Sequence, residues 1–478
     1  MPAALASAIS EVPVEPVGLG HLREVLSPAA YRDLSLMVVE ARERFAGKTI
    51  WNVNSTARGG GVAEMLSSLV AYARGAGVDT RWVVIEGNEQ FFRVTKRIHN
   101  QIHGYPGDGG ALGAVEHGIY QRALEPAAFD LAAVVRPGDA VILHDPQTAG
   151  LVPDMKRAGA VVIWRCHVGM EDPNEVAVRA WEFLRSYLDA ADAYVFSRAT
   201  FAWNGLDRSK VTVIPPSIDP LTPKNNFIPP SRVAAILVSA GILDAYSASV
   251  PYFLRPNGSV GTIIDRADML QDEPLRPADR YVIQVSRWDR LKDPVGVLRG
   301  FADHVPADTG AHLVLAGPQP GAVDDDPEGA ATLEETVQAW RALARTARRR
   351  VHLARLSMRD ADQNAATVNA LQRGSAVIVQ KSLAEGFGLT VAEAMWKGRP
   401  VVASGIGGIQ EQIEPGRSGI LLEDPADLAA MGRAVTSLLT EPEKATAMGL
   451  AAQDRVRRHF LTSRHLHQYA LLLSRLIG

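Results

Sequence analysis

Two carboxylates eight residues apart carry the sharpest chemical signal in this chain, within Lys381-Ser382-Leu383-Ala384-Glu385-Gly386-Phe387-Gly388-Leu389-Thr390-Val391-Ala392-Glu393. The run leaves an apolar strand near Val379, so Gly386, Phe387, Gly388 and Leu389 form a turn that presents backbone amides. Thr390 is placed to cap the following helix, with Glu393 in its first turn. Across such a turn Glu385 and Glu393 do not reach the roughly 5 Å separation at which two carboxyls flank one glycosidic bond. They are better suited to accept hydrogen bonds from sugar hydroxyls, one on a transferred sugar and one on a ribose. Complementing the helix dipole is the alternative reading of Glu393.

In Gln284-Val285-Ser286-Arg287-Trp288-Asp289-Arg290-Leu291-Lys292-Asp293, Arg287 and Lys292 follow another strand and could pair with two anionic oxygens of a diphosphate. A solvated surface cluster is the alternative. Asn54-Ser55-Thr56-Ala57-Arg58-Gly59-Gly60-Gly61 joins a strand to a helix that begins near Val62. Glycines without Cβ let a ligand approach the free amides of that helix end, or they simply make a tight turn. The loop is neither a G-x-G-x-x-G nor a Walker pattern. His144-Asp145-Pro146-Gln147 and Trp164-Arg165-Cys166-His167 add polar groups at two more strand ends, with His167 the candidate to meet a ligand. In Phe91 to Asn100, a helix would put Phe92, Lys96 and His99 on one face, an aromatic platform with hydrogen-bond donors that suits a sugar. A packed Phe92 with Lys96 and His99 at the surface is the alternative.

These groups need rigid strand ends. Short β-branched or apolar runs occur at Thr49 to Val53, Arg81 to Ile85, Ala140 to Leu143, Val161 to Arg165, Ala193 to Phe196 and Val211 to Ile214. A second series falls at Tyr281 to Val285, His312 to Ala316, Val351 to Leu353, Ala376 to Val379 and Pro400 to Ala403. Helix-length amphipathic segments alternate with them, which predicts an α/β chain of two doubly wound Rossmann-like domains. Proline at 215, 216, 220, 223, 229 and 230 denies regular structure to the start of the boundary. A helix over Ser231 to Ala240 stops at Gly241. Ala245 to Pro277 shows neither period and reads as an inserted loop or short hairpin. The expected domains are 1–220, a linker with insertion over 221–277, and 278–460, with a helix over 461–478 crossing back onto the first.

The 478 residues are 47% hydrophobic and 22% charged, the profile of a globular chain. Lys plus Arg less Asp plus Glu is 50 − 53 = −3, which argues against a nucleic-acid partner. The single cysteine, Cys166, leaves no intramolecular disulfide, fitting a reducing compartment, and cytoplasmic is the expectation. No apolar run is long enough for a membrane span.

Together these residues resemble the retaining glycosyltransferases of the GT-B fold, family 4. Within that family the chain is most similar to the trehalose glycosyltransferring synthases. The segments that carry this likeness are Val53 to Thr56, Gly59 to Glu64, Phe91 to Asn100, His144 to Gln147 and Lys381 to Glu393. The resemblance implies two domains facing a central cleft and a nucleoside diphosphate glucose co-substrate. It implies that Arg287 and Lys292 hold the donor diphosphate, that Glu385 lies near the donor sugar and Glu393 on the ribose, and that His167 approaches the sugar O6. Gly60, Gly61 and the Gly386 to Thr390 turn complete the donor side. Asn54, Phe92, Lys96, His99, Asp145 and Gln147 are the acceptor-side candidates.

No Asp-x-Asp motif stands at a strand end, and Asp324 to Asp326 lies in a polar loop, so neither an essential metal nor a tightly bound cofactor is expected. The partners are then small molecules, with a homo-oligomer left open. A trehalose phosphorylase using free phosphate is the competing enzyme, and a non-catalytic sugar-nucleotide sensor the competing binder. A nicotinamide dehydrogenase is disfavoured by the missing glycine fingerprint.

Overall fold

The computed structural model describes residues 7–57, 60–247, 249–319 and 329–477. Asp324 to Asp326 and Gly59 lie outside them. The chain forms two compact units, one running to Ser217 and resuming at Thr462, the other spanning Ile218–Leu461.

The first unit is built on a seven-stranded sheet: β1 (Ile9–Glu11), β2 (Ile50–Asn54), β3 (Thr80–Ile85), β4 (Ala140–His144), β5 (Val161–Cys166), β6 (Ala193–Phe196) and β7 (Val211–Val213). Its spatial order is β1-β3-β2-β4-β5-β6-β7. All neighbours run parallel except β1, which pairs antiparallel with β3. β2 and β4 are buried at every position, as strands covered on both faces must be. The chain builds β3 on one side of β2 and then β4 on the other, so the order reverses between β2 and β4. Ligands of open α/β sheets bind beyond the C-terminal ends of the strands at such a reversal.

Helices α1 (Pro28–Arg44), α2 (Gly61–Gly75), α3 (Glu89–Ile102) and α4 (Ala114–Val134) belong to this unit. Asn88 caps α3, accepting from the Phe91 amide at 2.9 Å. Phe91, Val94, Ile98 and Ile102 then repeat at helical spacing and bury one face. The helix Thr462–Leu476 joins the same unit, and its Leu472 and Leu473 pack in a core with Ala41, Phe45, Ile50 and Ile142.

The second unit repeats the plan with β10 (Asp268–Leu270), β11 (Arg280–Val285), β12 (Ala311–Pro318), β13 (Val351–Leu356), β14 (Val377–Gln380), β15 (Val401–Ser404) and β16 (Ile420–Leu422). The order is β10-β13-β12-β11-β14-β15-β16, so the reversal falls between β11 and β14. Residues 221–277, expected as a linker, are a structured part of this unit. A helix over Pro230–Ser239 ends before Gly241, whose φ of +72° glycine adopts without strain. The hairpin of β8 (Tyr252–Leu254) and β9 (Val260–Thr262) follows, and β10 then closes the sheet edge against β13. Arg255 fastens the hairpin to Asp360 and Asp362, at the start of the Ala361–Gly374 helix.

Side by side in the second sheet, His312 and His352 form a directed chain. Gln271 Oε1 can only accept, so His352 Nδ1–H donates to it at 2.9 Å and His352 Nε2 accepts from His312 Nδ1–H at 2.9 Å. Burial, and then the neighbouring His312, push His352 down from its ordinary 6.5 to about 4. Burial also lowers His144, His167, His312 and His465. Each takes up a proton less readily folded than unfolded, so stability is fully present above about pH 6.5 and is lost as pH falls toward the folded values. Melting temperature is therefore expected to drop steadily between about pH 7 and pH 5. A flat profile across that window would contradict the neutral assignment of these rings.

Candidate active site

At the reversal of the first sheet, β4 ends in His144 and the chain turns at Asp145, whose φ of +66° is strained for a residue with a Cβ. The turn aims the Asp145 carboxylate back across the strand ends. Its Oδ1 accepts from the His167 amide at 2.8 Å and its Oδ2 lies 3.0 Å from His167 Nδ1. Against the cost of burial, the hydrogen bonds from the His167 ring and amide help hold Asp145 down at about 2. An ionised carboxylate only accepts, so Nδ1 carries the proton and Nε2 presents a lone pair. Nε2 is buried and has no hydrogen-bond partner. His167 is thus a neutral, oriented acceptor with one position open. Asp145, an acceptor-side candidate, is also the residue that orients His167.

The His144 ring stacks on His167, with centroids 5.4 Å apart and planes within 8°. Asn52 Oδ1 lies 3.2 Å from His144 Nε2 and fixes that ring in turn. Beneath them Arg165 is fully buried, its positive charge one of the influences that keep both histidines neutral.

Asn54 is engaged at the end of β2. Its Nδ2 donates to the Thr56 carbonyl at 2.7 Å and its Oδ1 accepts from Trp82 Nε1 at 2.8 Å, so this amide holds the strand-end turn. Gly60, at φ +84°, is the N-cap of α2, and Gly61 is its first residue. The N-cap residue offers no side chain to the leading amides of that helix. Gln147 is partly exposed in the helical turn Asp145–Thr148. On α3 the core ring is Phe91, fully buried, whereas Phe92 is 38% exposed and shares its face with the half-buried Lys96 and His99. Phe92 also meets the Phe91 ring edge-on, with centroids 5.4 Å apart, so it is part packed and part open.

In the second unit the reversal brings together the ends of β11 and β14. Lys292 forms an ion pair with Glu385 across 93 residues of sequence. Ser382 Oγ supports the same carboxylate oxygen at 3.3 Å. Arg287 follows the end of β11 by two residues, with Asp289 Oδ2 at 3.6 Å. The loop carrying these cations is rigid for local reasons. Asp293 adopts φ +48° and caps the Pro294–His304 helix through the Gly296 amide, and the buried Lys381 pairs with Asp293. Gln284 Nε2 donates to the Lys292 carbonyl at 2.8 Å.

The helix after Glu385 runs Leu389–Trp396, with Gly388 at φ +80° as its N-cap and no side chain capping it. Thr390 therefore lies inside the helix rather than at its cap. Glu393 falls in the second turn, not the first, and is buried. It forms an ion pair with Lys224 at 3.0 Å, a partner that no motif signals, because Lys224 stands alone in the proline-rich stretch. A glycine at 407 is required where the Glu385 carbonyl passes: an added Cβ would lie 1.9 Å from that oxygen. Gly386 and Phe387 complete the turn, with the Gly386 carbonyl accepting from the Gly408 amide at 2.9 Å.

Among the described residues no cluster of three or more His, Cys, Asp or Glu is placed to hold a metal. Nor is any described helix long and apolar enough to cross a membrane.

Residues 52–203 match the family model described as trehalose synthase, N-terminal domain, and residues 265–455 match glycosyl transferases group 1. The chain is 34% identical over 446 residues to the trehalose synthase of Pyrococcus horikoshii, covering 92% of this chain and 93% of that one. It belongs to the trehalose synthase family. It is accordingly a trehalose-related glycosyltransferase. A trehalose phosphorylase of Grifola frondosa is a more distant relative, 26% identical over 476 residues, which cover 94% of this chain and 60% of that protein. The structure described as trehalose-6-phosphate from E. coli bound with UDP-2-fluoro glucose superposes with a TM-score of 0.66 at 13% identity. That match covers 90% of this chain and 99% of that one, and the likeness places the fold in the GT-B class.

Proposed function

We propose that this family member moves glucose from a nucleoside diphosphate glucose to free glucose, with retention of configuration, to form trehalose. The observation that carries the reading is the Lys292–Glu385 pair at the β11/β14 reversal, on the same loop after β11 that holds Arg287. There, cations suited to a departing diphosphate meet a carboxylate suited to sugar hydroxyls. The UDP-2-fluoro glucose of the E. coli structure supports a nucleotide sugar as donor.

Transfer breaks the bond between sugar C1 and the phosphate oxygen and forms one from C1 to an acceptor oxygen. Negative charge builds on the diphosphate as positive charge builds on the sugar. Arg287, Lys292 and the amide at Leu389, which no side chain caps, offset the former where it develops, with no metal ion assigned to that task. In same-face attack the departing phosphate oxygen takes the acceptor's proton. His167 Nε2 is assigned as an acceptor for a sugar hydroxyl.

Glu393 is the nucleotide's residue in this reading. Glu393→Gln is expected to weaken binding of free nucleoside diphosphate while Glu385→Gln lowers turnover with little change in that affinity. Equal effects on nucleoside diphosphate affinity, read by calorimetry, would contradict the division. On the acceptor side, Lys96→Ala and His99→Ala are expected to impair glucose kinetics and leave nucleotide affinity nearly unchanged. Unchanged acceptor kinetics, or a parallel loss of nucleotide affinity, would remove that face from the acceptor site.

The direct assay follows nucleoside diphosphate release from a panel of nucleotide glucoses, with and without glucose. Glucose-dependent release supports the proposal. Release of glucose 1-phosphate from trehalose that requires phosphate and no nucleotide would replace it with the phosphorylase reading. Tight nucleotide binding without turnover would leave only a sensor.

A further inference from the structure

A second polar site lies in the first unit, away from the strand ends. It is a cavity of about 600 Å³ where the end of α3, the 106–113 loop and the first turn of α4 meet the helix Glu175–Leu188. That volume falls within the roughly 300–1,000 Å³ typical of small-molecule pockets. It does not belong to the face carrying Phe92, Lys96 and His99. At about 100° per residue, the nine positions from Phe92 to Gln101 turn α3 through about 180°, so Gln101 looks the opposite way.

The lining has a defined chemistry. Gln101 is 5% exposed, and its Nε2 donates to the Gly110 carbonyl at 3.5 Å while its buried Oε1 has no hydrogen-bond partner. A buried amide oxygen left without a donor is costly, and a ligand hydroxyl would satisfy it. His117 lies flat on Phe183, with centroids 3.8 Å apart and planes within 16°. The Tyr187 hydroxyl, at 2.7 Å, occupies His117 Nδ1, so Nε2 is the ring atom left for a ligand. Arg179 and Glu182, one turn apart, also line the cavity and contribute one charge of each sign. The N-terminus of α4, which might otherwise draw an anion, is already served by Glu116, whose carboxylate accepts from the Gly113 amide at 2.9 Å.

We propose that this cavity is a second carbohydrate site, taking a neutral mono- or disaccharide. Balanced charge and a carboxylate-capped helix disfavour phosphate. One unsatisfied acceptor, the His117 Nε2 edge, one donor cation and one acceptor carboxylate match a sugar's ring of hydroxyls. Occupancy would act on the far side of the helix that carries Lys96 and His99.

The test is histidine-selective NMR on the full chain, with the His117 signals assigned through His117→Gln, during separate titrations with glucose, trehalose and inorganic phosphate. The expected result is a saturable shift of His117 with at least one of the two sugars and none with phosphate. Gln101→Leu and the exposed-site variant Arg179→Ala should each weaken it by about tenfold. Lys96→Ala should leave the titration intact, which separates this site from the acceptor face and makes the result independent of whether glucose transfer is observed. No saturable shift with either sugar, a shift driven by phosphate, or a sugar titration unaffected by both Gln101→Leu and Arg179→Ala would overturn the proposal.

Discussion

Lys292→Ala is expected to lower turnover by roughly a hundredfold or more, and Arg287→Ala by a similar factor, comparable with removing one donor of an oxyanion hole. Both cations stand at the β11/β14 reversal, and Lys292 is already aligned by Glu385 and by the bond from Gln284 to its carbonyl. Its charge is therefore fixed before donor arrives and needs no reorganisation as the leaving group develops charge. Because Lys292 and Glu385 act as one unit, the double variant Lys292→Ala with Glu385→Gln should lose much less than the product of the two single losses. Steady-state kinetics on the four proteins check this. Near-normal turnover in both Arg287→Ala and Lys292→Ala would take the pair out of the mechanism.

Asp145→Asn is the second large effect, expected to cost roughly a hundredfold or more in turnover, by the logic through which a misassigned imidazole tautomer disables other enzymes. The substitution keeps the shape but lets an NH2 group face His167 Nδ1. The ring proton then moves to Nε2, and the open acceptor becomes a donor. His167→Ala introduced into Asp145→Asn should add little, since the ring is already misassigned. A full additional loss would mean that Asp145 and His167 act separately.

Much of this architecture was readable from residue type alone. β4, β5 and β14 are apolar along most of their length because both faces are covered, and the expected runs fall within a residue or so of their observed bounds. The edge strands β1, β10 and β16 left no such trace. Each is three residues long and only partly buried. In segment 221–277 the expected helix and short hairpin are both present, but the linker suggested by its prolines is not: contacts distant in sequence, such as Arg255 to Asp360, tie the segment into the second unit. At the site, the strand ends were legible because Arg287, Glu385 and His167 follow apolar runs directly. The partners were not. Pairing of Lys292 with Glu385, of Glu393 with Lys224 and of Asp145 with His167 depends on strand order and on two backbone turns of positive φ. Thr390 looked like a cap because a hydroxyl suits that role, but glycine at 388 provides the left-handed conformation the turn needs and starts the helix two residues earlier.

The most direct test of the central claim is a time-resolved NMR experiment with a nucleoside diphosphate α-glucose labelled at C1, unlabelled glucose as acceptor, and the full chain. The account predicts that label appears in α,α-trehalose, one nucleoside diphosphate released for each disaccharide formed, with its anomeric configuration retained. Label recovered in a β-linked product, or in free glucose at the same rate whether or not the acceptor is present, would contradict it.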